Sequence, residues 1–260
     1  MSEAATTHSS ATSSITDGFN HANRSTHRPL RLLRLLLLGD VVFTLGIVAI
    51  QVALYPALLR QSGSVGYIAE PVVLLIVYAA LILVFTWRDT TTRLATLRLA
   101  TIFGLITGGM WLVNQTIETF VSLPGALNLL ATAPLLLGAF LLWGVAGLLR
   151  TWQTGSLRSG LLAAVWSAML CVLITITFGF LLLFVAFGRL QAGEATDPDF
   201  LRSRWSDLHA FVIANTFDAA FSHLLGALVV SLVVGFIGAL VGLFFASRRS
   251  GKRVTSAEAV

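Results

Sequence analysis

Between Arg158 and Arg189 the chain runs for thirty residues with no ionisable side chain other than Cys171. A helix needs roughly 20 apolar residues to cross the hydrocarbon core of a bilayer, which is about 30 Å thick. Inside that core the backbone has to satisfy its own hydrogen bonds, and a helix does so within one segment. Five further runs share this character, so the expected spans are residues 41–59, 68–87, 99–117, 127–149, 161–188 and 224–247. The connections between them are too short for a separate soluble domain. Charged residues make up 11% of the chain, against about 25% in soluble domains. The fold class that follows is all-α: a polytopic integral membrane protein of six transmembrane helices, with an exterior amphipathic helix between the fifth and sixth.

The flanks differ in composition from this membrane domain of residues 29–247. Residues 1–28 are rich in Ser, Thr, Ala and Asn, without an apolar run to offset chain entropy, and are expected to be a disordered tail. The first apolar run opens only at Leu30, which does not suit a cleaved secretory signal. Glu3 and Asp17 argue against a mitochondrial transit peptide. Residues 248–260 form a short basic tail.

The chain has 17 basic and 12 acidic residues, but no recognition motif turns this excess into a nucleic-acid partner. Its placement speaks for a membrane instead, because Lys and Arg near span ends favour the cytoplasmic side. Arg24, Arg28, Arg31, Arg34, Arg88, Arg93, Arg98, Arg150, Arg158, Arg248, Arg249, Lys252 and Arg253 fall on one side of a six-span topology, thirteen of the seventeen. Only Arg60, Arg189, Arg202 and Arg204 fall on the other. Both termini are therefore expected in the cytoplasm, and an even number of crossings agrees with two basic tails on one side. Sixteen of the seventeen basic residues are Arg, a bias that suits a GC-rich genome. The expected location is a bacterial inner membrane.

Two segments read as interfacial. From Pro29 to Gly39, Arg31 and Arg34 punctuate a Leu-rich run that either lies in the headgroup layer or extends the first span with its arginines snorkelling outward. The exterior connection from Arg189 to His223 contains Asp197-Pro198-Asp199, a helix-start signature. Leu201, Trp205, Leu208 and Val212 follow at helical spacing. Such a helix rests on the outer leaflet, caps an opening between spans, or runs straight into the sixth span.

An ionisable residue near lipid is a functional candidate because its charge is costly there unless paired. Asp40, just before the first expected span, reads as a helix cap or an intramembrane acid. Asn114 and Glu118 share a face near the end of the third span, while Asn215, Asp218 and Ser222 form a polar stripe leading to His223. If these stripes meet, they make a cation or proton-linked site, since His titrates near neutrality; otherwise they sit solvated among headgroups.

Several chemistries lack their residues. A single Cys allows no disulfide framework or Cys-based zinc site. His209 and His223 share a helical face but have no partner histidines in other spans for haem, and no HExxH, GxSxG or phosphate-binding loop occurs. No cofactor or metal is implied. Small residues (Ser231, Gly235, Ala239; Gly238, Gly242, Ala246; Gly104, Gly108) mark close helix seams, either within the chain or between copies. Three outward and three returning spans allow an inverted repeat, although no residue-level repeat is visible. By topology alone the chain resembles the membrane subunit of an ABC-2 type exporter, which implies a cytoplasmic ATPase contacting residues 88–98. The expected function is non-enzymatic: a transport component or a structural partner in a membrane complex. The alternatives are an ion-coupled carrier or membrane enzyme using Glu118, Asp218 and His223, and a scaffold or sensor with a partner-binding tail.

Overall fold

The structure is a computed structural model that describes residues 10–60, 64–87, 91–121, 123–195, 197–202 and 205–257. Side chains are described from Leu30 to Arg248, save at residues 64 and 91. Every element among these residues is a helix: α1 (Ser10–Leu54), α2 (Ala57–Arg60), α3 (Ser64–Trp87), α4 (Thr91–Phe120), α5 (Gly125–Thr154), α6 (Leu157–Val185), α7 (Phe187–Glu194), α8 (Pro198–Arg202) and α9 (Leu208–Ala257). Six of them are long and apolar enough to cross a bilayer, namely α1, α3, α4, α5, α6 and α9. The protein is an all-α polytopic membrane protein.

The helices outrun the charge-free segments that predict them. The apolar part of α1 starts at Leu30 rather than residue 41, so the Leu-rich stretch with Arg31 and Arg34 is the first span's own extension and not a separate surface helix. The backbone stays helical back to Ser10, where composition predicts a disordered tail; residues 1–9 lie outside the described residues. A span already folded supplies the nucleus, and adding turns to it avoids the unfavourable nucleation step. The carboxyl-terminal extension of α9 to Ala257 has the same explanation.

The connection between the fifth and sixth spans is helical in pieces. α7 and α8 are short, and the residues read as one amphipathic face are divided between α8, which holds Leu201, and α9, which holds Leu208 and Val212. α9 starts where Asp207 caps it: the backbone N–H groups of His209 and Ala210 donate to its Oδ1 at 2.9 and 3.3 Å. From that cap the helix runs into the sixth span without a break. The stretch from Leu208 to Arg248 holds 41 residues, roughly 60 Å of helix, twice the hydrocarbon thickness. Its first turns are nonetheless covered, with Ile213 and Phe217 fully buried. Phe217 packs edge-on against Phe180 of α6, and Phe211 lies against Phe200 and Trp205. An aromatic cap therefore extends the core past the spans at the end that carries α2, α7 and α8.

α6 is the central helix. It is apolar all round, as a helix surrounded by other helices must be, and from Ala163 to Leu173 every residue is buried. α4, α5 and α9 pack on it, and α1 with α3 completes the bundle on one side. Small residues permit the closest approaches. A side chain at Gly238 would overlap the backbone of Gly144 on α5, and one at Gly160 would overlap Thr151 and the Gly147 carbonyl. The sixth-span row Ser231, Gly235 and Ala239 is buried, with Gly235 against Ala164 of α6, and Gly104 and Gly108 face α6 as well. These seams are intrachain.

Hydrogen bonds tie the seams across helices. Ser167 Oγ donates to the Ala100 carbonyl at 2.9 Å and Tyr78 Oη to the Leu224 carbonyl at 2.8 Å. At the opposite end from α7, Arg150 is buried and donates to Thr96 Oγ1 and the Thr92 carbonyl, both at 2.7 Å, and to Gln153. Arg34 donates to Thr86 Oγ1 at 2.9 Å and to the Thr86 carbonyl in the last turn of α3. A cation there also complements the negative end of that helix.

Candidate functional site

α4 and α9 cross in opposite directions, so Trp111, Asn114, Gln115 and Glu118 climb α4 towards the α7 end while His223, Asp218 and Asn215 climb α9 the same way. The two stripes do approach, but not through the carboxylates. The contact is aromatic: the Trp111 and His223 rings meet edge to face at 5.1 Å. His223 Nδ1 is turned to the Ala219 carbonyl one turn earlier on its own helix. Asn114 is buried, and its Oδ1 has no hydrogen-bond partner among the described residues. Glu118 is exposed.

Asn215 lies further out and makes a different pair. Its Nδ2 donates to Glu194 Oε1 of α7 at 2.8 Å. Burial pushes the Glu194 carboxyl above the usual carboxylate range; the Asn215 hydrogen bond opposes this, and Asp197 and Asp199 add to it. Asp218 is half-buried. Glu118, Asp218 and His223 therefore do not form one convergent acid–imidazole site. Among the described residues no three His, Cys, Asp or Glu side chains come together in a way that could hold a metal ion.

α1 runs unbroken through Asp40, so this carboxylate does not cap a helix. Thr177 of α6 donates to Asp40 Oδ1 at 3.0 Å. Thr44 Oγ1 donates to the Asp40 carbonyl at 2.8 Å and lies 2.7 Å from Thr177 Oγ1. The intramembrane acid is thus a polar strut between α1 and α6.

Below the polar stripe lies a cavity of about 210 Å³ between α4, α5, α6 and α9, with Trp111, Phe140, Trp143 and His223 among its walls. Cys171, Thr175, Ser222 and Gly226 complete the part used below. The aromatic wall is held in place: Phe140 and Trp143 pack with centroids 5.2 Å apart, and buried Trp143 donates through Nε1 to Thr107 Oγ1 at 3.3 Å. Gly226 opens onto open space, because a Cβ there would meet nothing within 4 Å. For scale, an apolar cavity of about 150 Å³ binds benzene, so this one has room for a single substituted ring.

A second cavity of about 60 Å³ adjoins it, sharing Thr175 and His223. It lies nearer the α7 end and is lined by Gln115, Thr216 and Gly179, among others. Gln115 Oε1 is buried without a partner. Such a space exceeds the roughly 10–15 Å³ that admits one water, and its lining has the polar groups a water needs. An aromatic chamber with a small polar antechamber can hold a compact apolar solute. The antechamber can hydrate a polar group on that solute.

The sequence reading places Asn114 and His223 near this site, and misses Trp111, Phe140, Trp143, Thr175 and Gly226 as its walls. Trp111 and Trp143 did carry a signal, since they sit away from the interfaces where Trp concentrates in membrane proteins. No family model, no curated protein and no solved structure matches this chain.

Proposed function

We propose that this protein is a non-enzymatic membrane transport component that holds a small, largely apolar solute in the cavity between α4, α5, α6 and α9. One observation carries the reading: a cavity of about 210 Å³ walled by Trp111, Phe140, Trp143 and His223 among helices that glycine seams bring close together. Ligand sites of this kind are mainly apolar and aromatic, with few polar groups. Carrier or enzyme chemistry by Glu118, Asp218 and His223 has less support, because neither carboxylate lines either cavity. The arginine distribution supports a cell inner membrane location with both termini in the cytoplasm.

Gly226→Leu tests the reading. The new side chain fills the cavity and meets no backbone at its Cβ. Vesicles carrying wild-type protein should take up at least one member of a panel of small charged and neutral aromatic solutes faster than vesicles carrying the variant. Equal uptake across the panel removes the transport reading.

A further inference from the structure

The chamber's place on the helices says what kind of solute suits it. Its surface is nearly all carbon, and three of its walls are the rings of Trp111, Phe140 and Trp143. Aromatic faces attract cations through the ring quadrupole, most strongly for Trp and when the cation is desolvated. No Lys or Arg lines either cavity. Two carboxylates lie further along the same two helices. Glu118 lies seven residues beyond Trp111 on α4, roughly 10 Å along the helix, and Asp218 lies four residues from Ser222 on α9, roughly 6 Å. Both displacements point towards the α7 end, and both keep the residue near the face that lines the chamber.

Carboxylates one to two helical turns from an aromatic chamber raise the local concentration of a cation, and the rings favour it once it is desolvated. Arg189, a cation at this same end, is engaged elsewhere: its guanidinium donates to the Phe120 carbonyl at 3.2 Å and lies 5.3 Å from the Phe120 ring centre. That contact shows the α4 terminus accommodating a cation with a backbone carbonyl and an aromatic face.

We infer that the chamber takes a small organic cation, an alkylammonium or a planar aromatic cation, seated against Trp111, Phe140 and Trp143 and attracted by Glu118 and Asp218. This rests on the cavity being a solute site, as proposed above.

The test compares two molecules of one shape, N-methylpyridinium and the neutral toluene. Their binding to the full chain in lipid nanodiscs is followed by tryptophan fluorescence, with empty nanodiscs subtracted. The cation should bind saturably and roughly tenfold more tightly than its neutral isostere. Gly226→Leu should abolish binding of both. Glu118→Gln with Asp218→Asn should weaken the cation severalfold at low salt and leave the isostere unchanged. If the neutral molecule binds as well as the cation and Gly226→Leu still blocks it, the cation preference is overturned and the solute site survives. If neither binds, or if Gly226→Leu leaves binding intact, both readings are overturned together.

Discussion

Arg150 shows how this chain uses a charge at the edge of lipid. Its guanidinium is buried and spends its donors on Thr96 Oγ1, the Thr92 carbonyl and Gln153, joining α5 to the start of α4. Replacing it with Ala leaves the Thr92 and Thr96 acceptors short of a donor. The expected loss is about 3 kcal/mol on the scale of hydrogen bonds to charged groups. Arg150→Lys should recover little of it, because an ammonium cannot reproduce the planar fork. Unfolding of the two variants in mixed micelles, compared with wild type, measures both effects. Glu194 gives a pH prediction outside the spans. Its carboxyl titrates above an unfolded glutamate because burial disfavours the charged form. A raised carboxyl pKa favours the fold while the group is protonated, and that contribution is lost as pH rises through the folded value. Thermal stability should therefore fall as pH is raised from the acidic range through this titration, and Glu194→Gln should flatten the fall while keeping an oxygen for Asn215.

At the level of helices, the α5–α9 seam rests on an absence of side chains. A methyl at Gly238 has nowhere to go but into the Gly144 backbone, and overpacking of this kind costs about 1–3 kcal/mol. Gly238→Ala should therefore destabilise the protein, whereas Gly226→Ala on the same helix, facing open space, should be neutral or stabilising by up to about 1 kcal/mol from helix propensity. The pair separates packing from propensity within a single helix. His209 offers a second contrast at the start of α9. Its ring stacks on Phe187 at 3.9 Å and lies tilted against Tyr55 at 4.3 Å, and its buried Nε2 has no hydrogen-bond partner among the described residues. The imidazole acts here as a flat aromatic plate joining the α1–α2 turn, α7 and α9. His209→Phe should retain wild-type stability to within about 1 kcal/mol, while His209→Ala should lose more, since each aromatic contact contributes about 0.5–1.5 kcal/mol. Melting curves of the two variants decide it.

For the whole molecule, the six spans were legible because hydrocarbon thickness sets a length that a charge-free run either meets or misses. The ends of the spans were less so. Scanning for charge-free segments stops at Asp40, which Thr177 binds inside the bundle, and again at Asp218 and His223, which α9 carries without interruption from its Asp207 cap. The same blindness affects the site. Periodicity finds Asn114 and His223 as polar residues on helical faces, yet which aromatic rings enclose a cavity depends on rotations of four helices about one another, and no local pattern records that. The whole-chain prediction follows from the arginine count: tags at the amino and carboxyl termini should be reached by an impermeant reagent from the same side of sealed vesicles. Access from opposite sides would contradict an even number of crossings.

The central place of α6 has a consequence for how the protein is made. Four spans leave the ribosome before it, and α4 and α5 find their largest common partner only when it arrives. Until then Gly104 and Gly108 face lipid rather than Leu170 and Ile174, and the polar group of Asp40 waits for Thr177. Assembly therefore consolidates when this helix enters and finishes only with α9, which packs on α3, α5 and α6. Truncations ending before Leu157 should therefore insert in the membrane yet remain open to proteases, and chains reaching Val185 should begin to resist them.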